Sequence, residues 1–275
     1  NGSSSSRYTP TRTRFASAKS LSAGYLHTCV VTNSGQVQCS GYNYHYQVKN
    51  NSNYYCDYYY YCRSPRTTSY ISNAVEVSSH GYFNCARLTN GTVKCWGRGS
   101  QGQMGNGRNT YRNYGNNTVS GISNAVELGG GYDHMCARLN DGKVKCWGHG
   151  YYGQMGNGSQ NTTNTRPVEV SGISNAGGLS DNSAGYHQCA WQTDGKVKCW
   201  GRGDYGQIGN GSTTQRNTTP VTLGGVLAPS SDDDDDDDEG GGPLQYLGKI
   251  NVGNLYRSRD AHSQHNSRCV SQYGA

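Results

Sequence analysis

The stretch Gly131-Tyr132-Asp133-His134-Met135-Cys136-Ala137-Arg138-Leu139-Asn140-Asp141-Gly142-Lys143-Val144-Lys145-Cys146-Trp147-Gly148 decides the fold. Two short alternating runs flank Asn140-Asp141-Gly142, and a period of two is the pattern of a half-buried strand. A three-residue hairpin loop is a type I turn followed by a left-handed residue, normally glycine, and Gly142 stands at that third position. Such a loop sets Leu139 opposite Lys143 and Cys136 opposite Cys146. Directly opposed residues lie about 4.5–5.5 Å apart, within disulfide reach. The same register applies to Cys85 and Cys95 around Thr89-Asn90-Gly91, and to Cys189 and Cys199 around Thr193-Asp194-Gly195. It applies also to Cys29 and Cys39. Four cross-strand bridges are expected, each contributing ~2–3 kcal/mol because the closed loops are short. Cys56 and Cys62 form a closer fifth pair, and Cys269 is left over.

The surroundings of these hairpins repeat as well. Gly-Gln-Met/Ile-Gly-Asn-Gly follows at 102–107, 153–158 and 206–211, and Ile-Ser-Asn-Ala recurs at 71–74, 122–125 and 173–176. Trp96, Trp147 and Trp200 are 51 and 53 residues apart. In the looser first copy Ser40 replaces the tryptophan, and a tyrosine-rich insert spans 42–61. Short strands at a period near 50 residues indicate a β-propeller. The pattern resembles the regulator-of-chromosome-condensation repeat, which reads Gly-x-x-His-x-x-Ala, Gly-x-Val, Trp-Gly and Gly-Gln-Leu-Gly-x-Gly. Its paired cysteines are similar to the secreted and cell-surface branch of that family. The resemblance covers residues 22–223, with three good copies and one diverged. His27, His134 and His187 match the family histidine, and the second copy has Phe83 or Asn84 there.

The resemblance implies a seven-bladed ring, whereas this chain supplies four or five blades. The expected fold is therefore an all-β propeller, or an open propeller-like arc, with cross-strand disulfides. An open arc exposes sheet edges that template pairing with another copy. The expected units are repeats at 22–78, 79–129, 130–183 and 184–223, an acidic linker at 224–243, and a degenerate fifth repeat or assembly tail at 244–275. Residues 1–21 form an N-terminal segment. Its stretch from Pro10 to Leu21 resembles 167–179 and is expected to complete the last blade.

Composition agrees with such a chain. Leu, Ile, Val and Phe number 11, 5, 17 and 2 among 275 residues. That is too few for a large aliphatic core, so the bridges must offset the deficit. Good helix formers are scarce, which argues against bundles and doubly wound α/β enzymes. No run approaches the ~18 apolar residues of a membrane-spanning helix. The net charge of +6 hides an asymmetry: residues 232–239 are seven Asp and one Glu. Without them 24 basic residues face 10 acidic ones. The acidic run is read as solvated or lying against the basic body. No groove-reading helix accompanies the charge, so nucleic acid is not an expected partner.

Ten-residue cysteine spacing departs from the short spacings of zinc sites and reads as a disulfide framework. Disulfides need an oxidising compartment, so an extracellular location, secreted or at the cell surface, is expected. The chain begins at Asn1 without a methionine and shows no signal peptide, which we read as a processed or truncated chain. Eight Asn-x-Ser/Thr sequons are candidate glycosylation sites: Asn1, Asn50, Asn90, Asn116, Asn157, Asn161, Asn210 and Asn217.

Several motifs invite enzymatic readings and fail on context. Gly-x-Gly-x-x-Gly occurs at 97–102, 148–153 and 201–206. No helix pattern follows to hold a pyrophosphate, so these are blade turns. The recurring histidines sit a blade apart, too far to share a metal ion. Trp96, Trp147 and Trp200 read as inter-blade packing rather than a sugar platform. Lys94, Lys145 and Lys198, with Arg98, His149 and Arg202, trace a basic rim of solvated repeat positions. No Gly-x-Ser-x-Gly or His-Glu-x-x-His occurs, and the Asp run lacks the turn and spaced ligands of a calcium loop. No catalytic residue, cofactor or metal site is expected.

Tyr54, Tyr55, Tyr58, Tyr59, Tyr60 and Tyr61, around Cys56 and Cys62, form a candidate interface, because tyrosine is enriched at interfaces. Cys269 is a second candidate contact. The functional expectation is a non-catalytic extracellular structural protein that self-assembles into a filament or surface layer. The alternative is a secreted monomeric module that inhibits a protein or binds glycans; related folds include a guanine-nucleotide exchange factor and a β-lactamase inhibitor.

Overall fold

A computed structural model describes residues 14–48, 56, 59–68 and 70–223. The described chain is all-β: sixteen strands form four antiparallel sheets of four strands each. The first sheet is β1 (Ala18–Ala23), β2 (His27–Thr32), β3 (Val37–Tyr42) and β4 (Tyr61–Thr67). The second is β5 (Ala74–Ser79), β6 (Phe83–Leu88), β7 (Val93–Gly99) and β8 (Thr110–Thr118). The third is β9 (Ala125–Gly130), β10 (His134–Leu139), β11 (Val144–His149) and β12 (Thr163–Glu169). The fourth is β13 (Ala176–Leu179), β14 (His187–Gln192), β15 (Val197–Arg202) and β16 (Arg216–Thr222). Each sheet is a meander in which sequence neighbours pair.

The central hairpins have the register that their turns require. Cys29, Cys85, Cys136 and Cys189 lie directly opposite Cys39, Cys95, Cys146 and Cys199. All four pairs are bridged, with Cα atoms 4.0–4.1 Å apart, and Cys56 bridges to Cys62. Gly142 turns its hairpin at φ 78°. That left-handed conformation is one a side chain adopts only under strain.

The repeat in sequence is offset from the sheet in space. A repeat begun at residue 22, 79, 130 or 184 starts near the second strand, whereas each sheet opens with the strand before it. β5, β9 and β13, which begin at the alanine of Ile-Ser-Asn-Ala, are first strands of the following sheet. The expectation that the stretch to Leu21 completes the last blade is corrected in its described part. Ala18–Ala23 pairs with β2 and opens the first sheet. The connection 24–26 closes this pairing locally, at far smaller entropic cost than a return across the chain. Residues 224–243 and 244–275 lie outside the described residues.

The hydrophobic cores sit between sheets. Phe83, Val93, Met104 and Val119 of the second sheet unit pack against Ile122, Leu128, Met135 and Trp147 of the third. Equivalent clusters join the first unit to the second and the third to the fourth. The small apolar complement is thus used three times at interfaces, and every half-core needs its neighbour. Leu21 shows this from the other side. It occupies the register of Val77, Leu128 and Leu179, yet is 73% exposed, since among the described residues no sheet covers its face.

One polar contact recurs at every interface. Fully buried Trp96, Trp147 and Trp200 donate their indole N–H groups to the carbonyls of Gln47, Gln103 and Gln154 in the preceding unit, at 2.9–3.0 Å. Gly105 and Gly156 lie against the Trp147 and Trp200 rings, where an added Cβ would sit 2.9–3.0 Å from them. The tryptophans are therefore inter-blade packing elements, as their spacing indicates.

Candidate functional site

Antiparallel meanders bring their first and third connections to one end of the sheet. At that end Tyr25, Tyr82, Tyr132 and Tyr186, from the first connections of the four sheets, form a continuous group. Ring centroids are 5.7 Å apart for Tyr25–Tyr82, 6.1 Å for Tyr82–Tyr132 and 5.7 Å for Tyr132–Tyr186. Tyr42 continues the group outward to Tyr61 and Tyr44, and Tyr44 meets Tyr60 edge-on at 5.2 Å. On the far side Tyr152 touches Tyr186 and Tyr151. Tyr25, Tyr111 and Tyr205 are 57%, 51% and 74% exposed. The result is an aromatic surface spanning all four sheets.

Arginines are set into this surface. Arg112 lies 4.2 Å above the Tyr44 ring, Arg216 3.9 Å above Tyr151, and Arg202 5.0 Å above Tyr152. In each case the guanidinium belongs to the sheet after the tyrosine, so the cation–π contacts also join sheets. Arg202 forms two 2.8 Å bonds to Asp204. Arg98 approaches Asp133 at 3.6 Å, and Asp133 accepts a 2.9 Å bond from Gln103. Burial, followed by the charges of Arg98 and Arg112, pushes His45 down to about 4. Burial likewise lowers His149, so the positive charge of the face comes from arginine. Burial first, then neighbouring tyrosines, raises Tyr42 and Tyr132, which keeps both phenols neutral.

The basic rim read from sequence divides in two. His149 and Arg202 end third strands at the tyrosine face, and Arg98 is the last residue but one of its strand there. Lys94, Lys145 and Lys198 lie at the opposite end, where their amines donate to the carbonyls of Tyr70, Gly121 and Gly172. The histidines also resolve. Phe83, not Asn84, occupies the position of His27, His134 and His187, since all four pair with the glycine after the tryptophan position. Asn84 is instead the partner of His27 at 2.7 Å. Burial lowers His27 to about 4 and His134 to about 3, so both are neutral structural groups. Among the described residues no three His, Cys, Asp or Glu side chains converge as a metal site.

Of the tyrosine insert, Tyr59, Tyr60 and Tyr61 are described, and with Tyr42 they line a shallow depression on the tyrosine face. Tyr54, Tyr55, Tyr58 and Cys269 lie outside the described residues, as do Asn1 and Asn50 and the side chain of Asn116. Asn90 and Asn161 are exposed, and Asn157 and Asn210 are half-exposed. Asn217 is buried and donates to the carbonyls of Gly201 and Thr214, which removes it from the accessible glycan acceptors. The axial tyrosines and Arg112 and Arg216 were not legible as a site. Their signal was the Gly-Tyr ahead of the second strand, which in sequence serves only to align the copies.

Four-stranded meanders packed in succession through a recurrent tryptophan are blades of a β-propeller. The Regulator of chromosome condensation (RCC1) repeat matches residues 18–47, 75–103, 126–154, 141–190 and 194–228, together more than half of the chain. The chain belongs to the RCC1 repeat family, and its five bridges place it with the disulfide-containing members.

The mitochondrial RCC1 domain-containing protein RUG3 of Arabidopsis thaliana is 29% identical over 150 residues, 54% of this chain and 33% of that protein. The Arabidopsis ultraviolet-B receptor UVR8 is 27% identical over 55% of this chain and 35% of its own length. Among solved structures, yeast RCC1 (Prp20) bound to Kap60 superposes with a TM-score of 0.67 at 15% identity, covering 79% of this chain and 50% of that one. Human WBSCR16 gives 0.63 at 20% identity, with 76% and 54% covered. The chain thus spans about a third of these curated relatives and half of these solved propellers.

Proposed function

We propose that the chain is a non-catalytic, extracellular structural protein whose copies associate through the tyrosine face into a filament or surface layer. The observation that carries this reading is the exposed aromatic surface shared by all four sheets. Tyrosine and arginine together form the chemistry of association hot spots, since they combine large contact area with a hydrogen-bonding tip. The five bridges support an oxidising compartment. The curated relatives named above are a mitochondrial protein and an ultraviolet-B receptor, so a common fold leaves function to the surface each member presents.

The test is electron microscopy and sedimentation of native, unreduced material, alone and with Tyr25→Ser, Tyr82→Ser and Tyr132→Ser combined. Regular polymers that dissociate in the triple variant are the expected result. Discrete particles of single-chain mass in the unaltered protein would overturn the reading and turn attention to small ligands at the Tyr42–Tyr61 depression.

A further inference from the structure

Two pairs of like charge stand on the tyrosine face. Arg98 is the direct cross-strand neighbour of Arg112, and Arg202 of Arg216. Opposed like charges on neighbouring strands destabilise a sheet, and here the arrangement occurs in two of the four sheets. One member of each pair has a carboxylate partner, Asp133 for Arg98 and Asp204 for Arg202. Among the described residues no carboxylate lies within ion-pair distance of Arg112 or Arg216, and Arg112 Nε is buried without a hydrogen-bond partner. The face therefore carries an unmet demand for anionic oxygens beside exposed aromatic rings.

The same chain holds a matching group, the eight carboxylates of 232–239. β16 begins at the tyrosine face, with Arg216 beside Arg202, and ends at the opposite end of the sheet, with Thr222 beside Lys198. Its seven residues cover ~23 Å. The eight residues 224–231 reach up to ~27 Å when extended, enough to return the chain along the sheet to the face it left.

We infer that the acidic run 232–239 docks in cis on the tyrosine–arginine face, with its carboxylates against Arg112 and Arg216. Asp133 and Asp204 already offset two of the four arginines of the face, so eight further carboxylates reverse its net charge and disfavour other anions. This docking does not depend on self-association. Where copies do associate through the face, the run competes with the incoming copy.

The test titrates a fluorescent octa-aspartate peptide onto three full-length chains. The first is unaltered. The second has Asp232→Asn through Asp238→Asn with Glu239→Gln. The third adds Arg112→Gln and Arg216→Gln to the second. The second chain is expected to bind the peptide about tenfold more tightly than the first, because the tethered run no longer competes at high effective concentration. The third is expected to lose most of that gain. Equal binding to the first two chains, no binding to the second, or undiminished binding to the third overturns the inference. Should the third chain misfold, hydrogen exchange decides. Residues 80–83 and 98–101 are expected to exchange faster in the second chain than in the first, and equal rates overturn the docking.

Discussion

Trp147 ties its sheet to the one before it through its volume and its indole N–H. Trp147→Phe keeps most of the volume and strands the buried carbonyl of Gln103, at a cost of about 1–2 kcal/mol. Trp147→Ala adds a cavity and costs about 3–5 kcal/mol. Urea unfolding followed by far-UV circular dichroism is expected to rank the three proteins in that order. Tyr46 shows the opposite balance. It has φ 66° where the equivalent Gly102, Gly153 and Gly206 have 84°, 89° and 75°. Left-handed backbone costs a side chain about 1–2 kcal/mol. Arg112 stacked 5.4 Å from its ring returns part of that. Tyr46→Gly is expected to raise stability by about 0.5–1 kcal/mol, read as a higher urea midpoint, while weakening whatever binds the tyrosine face. His27 and His134 are held neutral, with values of about 4 and about 3 against an ordinary 6.5. Below pH 6.5 the unfolded chain takes up protons that the folded one refuses, so stability is full above 6.5 and declines as pH falls towards 4. A urea midpoint unchanged between pH 7 and pH 4.5 would contradict this. At this scale the cysteine pairs were legible, because a turn of known length fixes what stands opposite what. The second-copy histidine position was not, since counting back from the cysteine selects Phe83 and counting forward from the glycine selects Asn84, until pairing with Gly97 decides for Phe83.

At the scale of the element, the central hairpin is the self-sufficient part of each sheet. Its turn, its register and its bridge all lie within eleven consecutive residues. Replacing Cys136 and Cys146 together by serine is expected to lower stability by ~2–3 kcal/mol, with the other four bridges intact on peptide mapping. The outer strands depend more on their surroundings. In the second and third sheets Glu76 and Glu127 bond Arg87 and Arg138 across the first two strands at 2.8 Å. In the fourth sheet Gly178 and Trp191 hold those positions, and the indole lies over Gly177 and Gly178. A side chain at Gly178 would collide with that ring, so the two replacements form one unit. The hairpins were readable because their information is local. Assignment of the Ile-Ser-Asn-Ala strands to a sheet was not, since a linear repeat can be cut at any phase and only hydrogen bonding chooses one.

At the scale of the molecule, the cores between sheets make stability a property of neighbours. Trp147→Ala is expected to speed hydrogen exchange in β7 to β12 together, with a smaller change in β1 to β3. A rise confined to β9 to β12 would show that the interface does not couple the sheets. The gathering of tyrosines at one end was invisible in sequence, where Tyr25, Tyr82, Tyr132 and Tyr186 are some fifty residues apart. Only the stacking of the sheets makes neighbours of them. The tryptophan-to-glutamine bond, finally, gives the molecule a direction in time. In a chain made from its N-terminus, the two cysteines of each central hairpin emerge only 10 residues apart. The carbonyl of Gln103, however, waits 44 residues for Trp147, and that of Gln154 waits 46 for Trp200. During synthesis the newest unit always carries an open seat, filled by the next, so the molecule is completed in the order in which it is read.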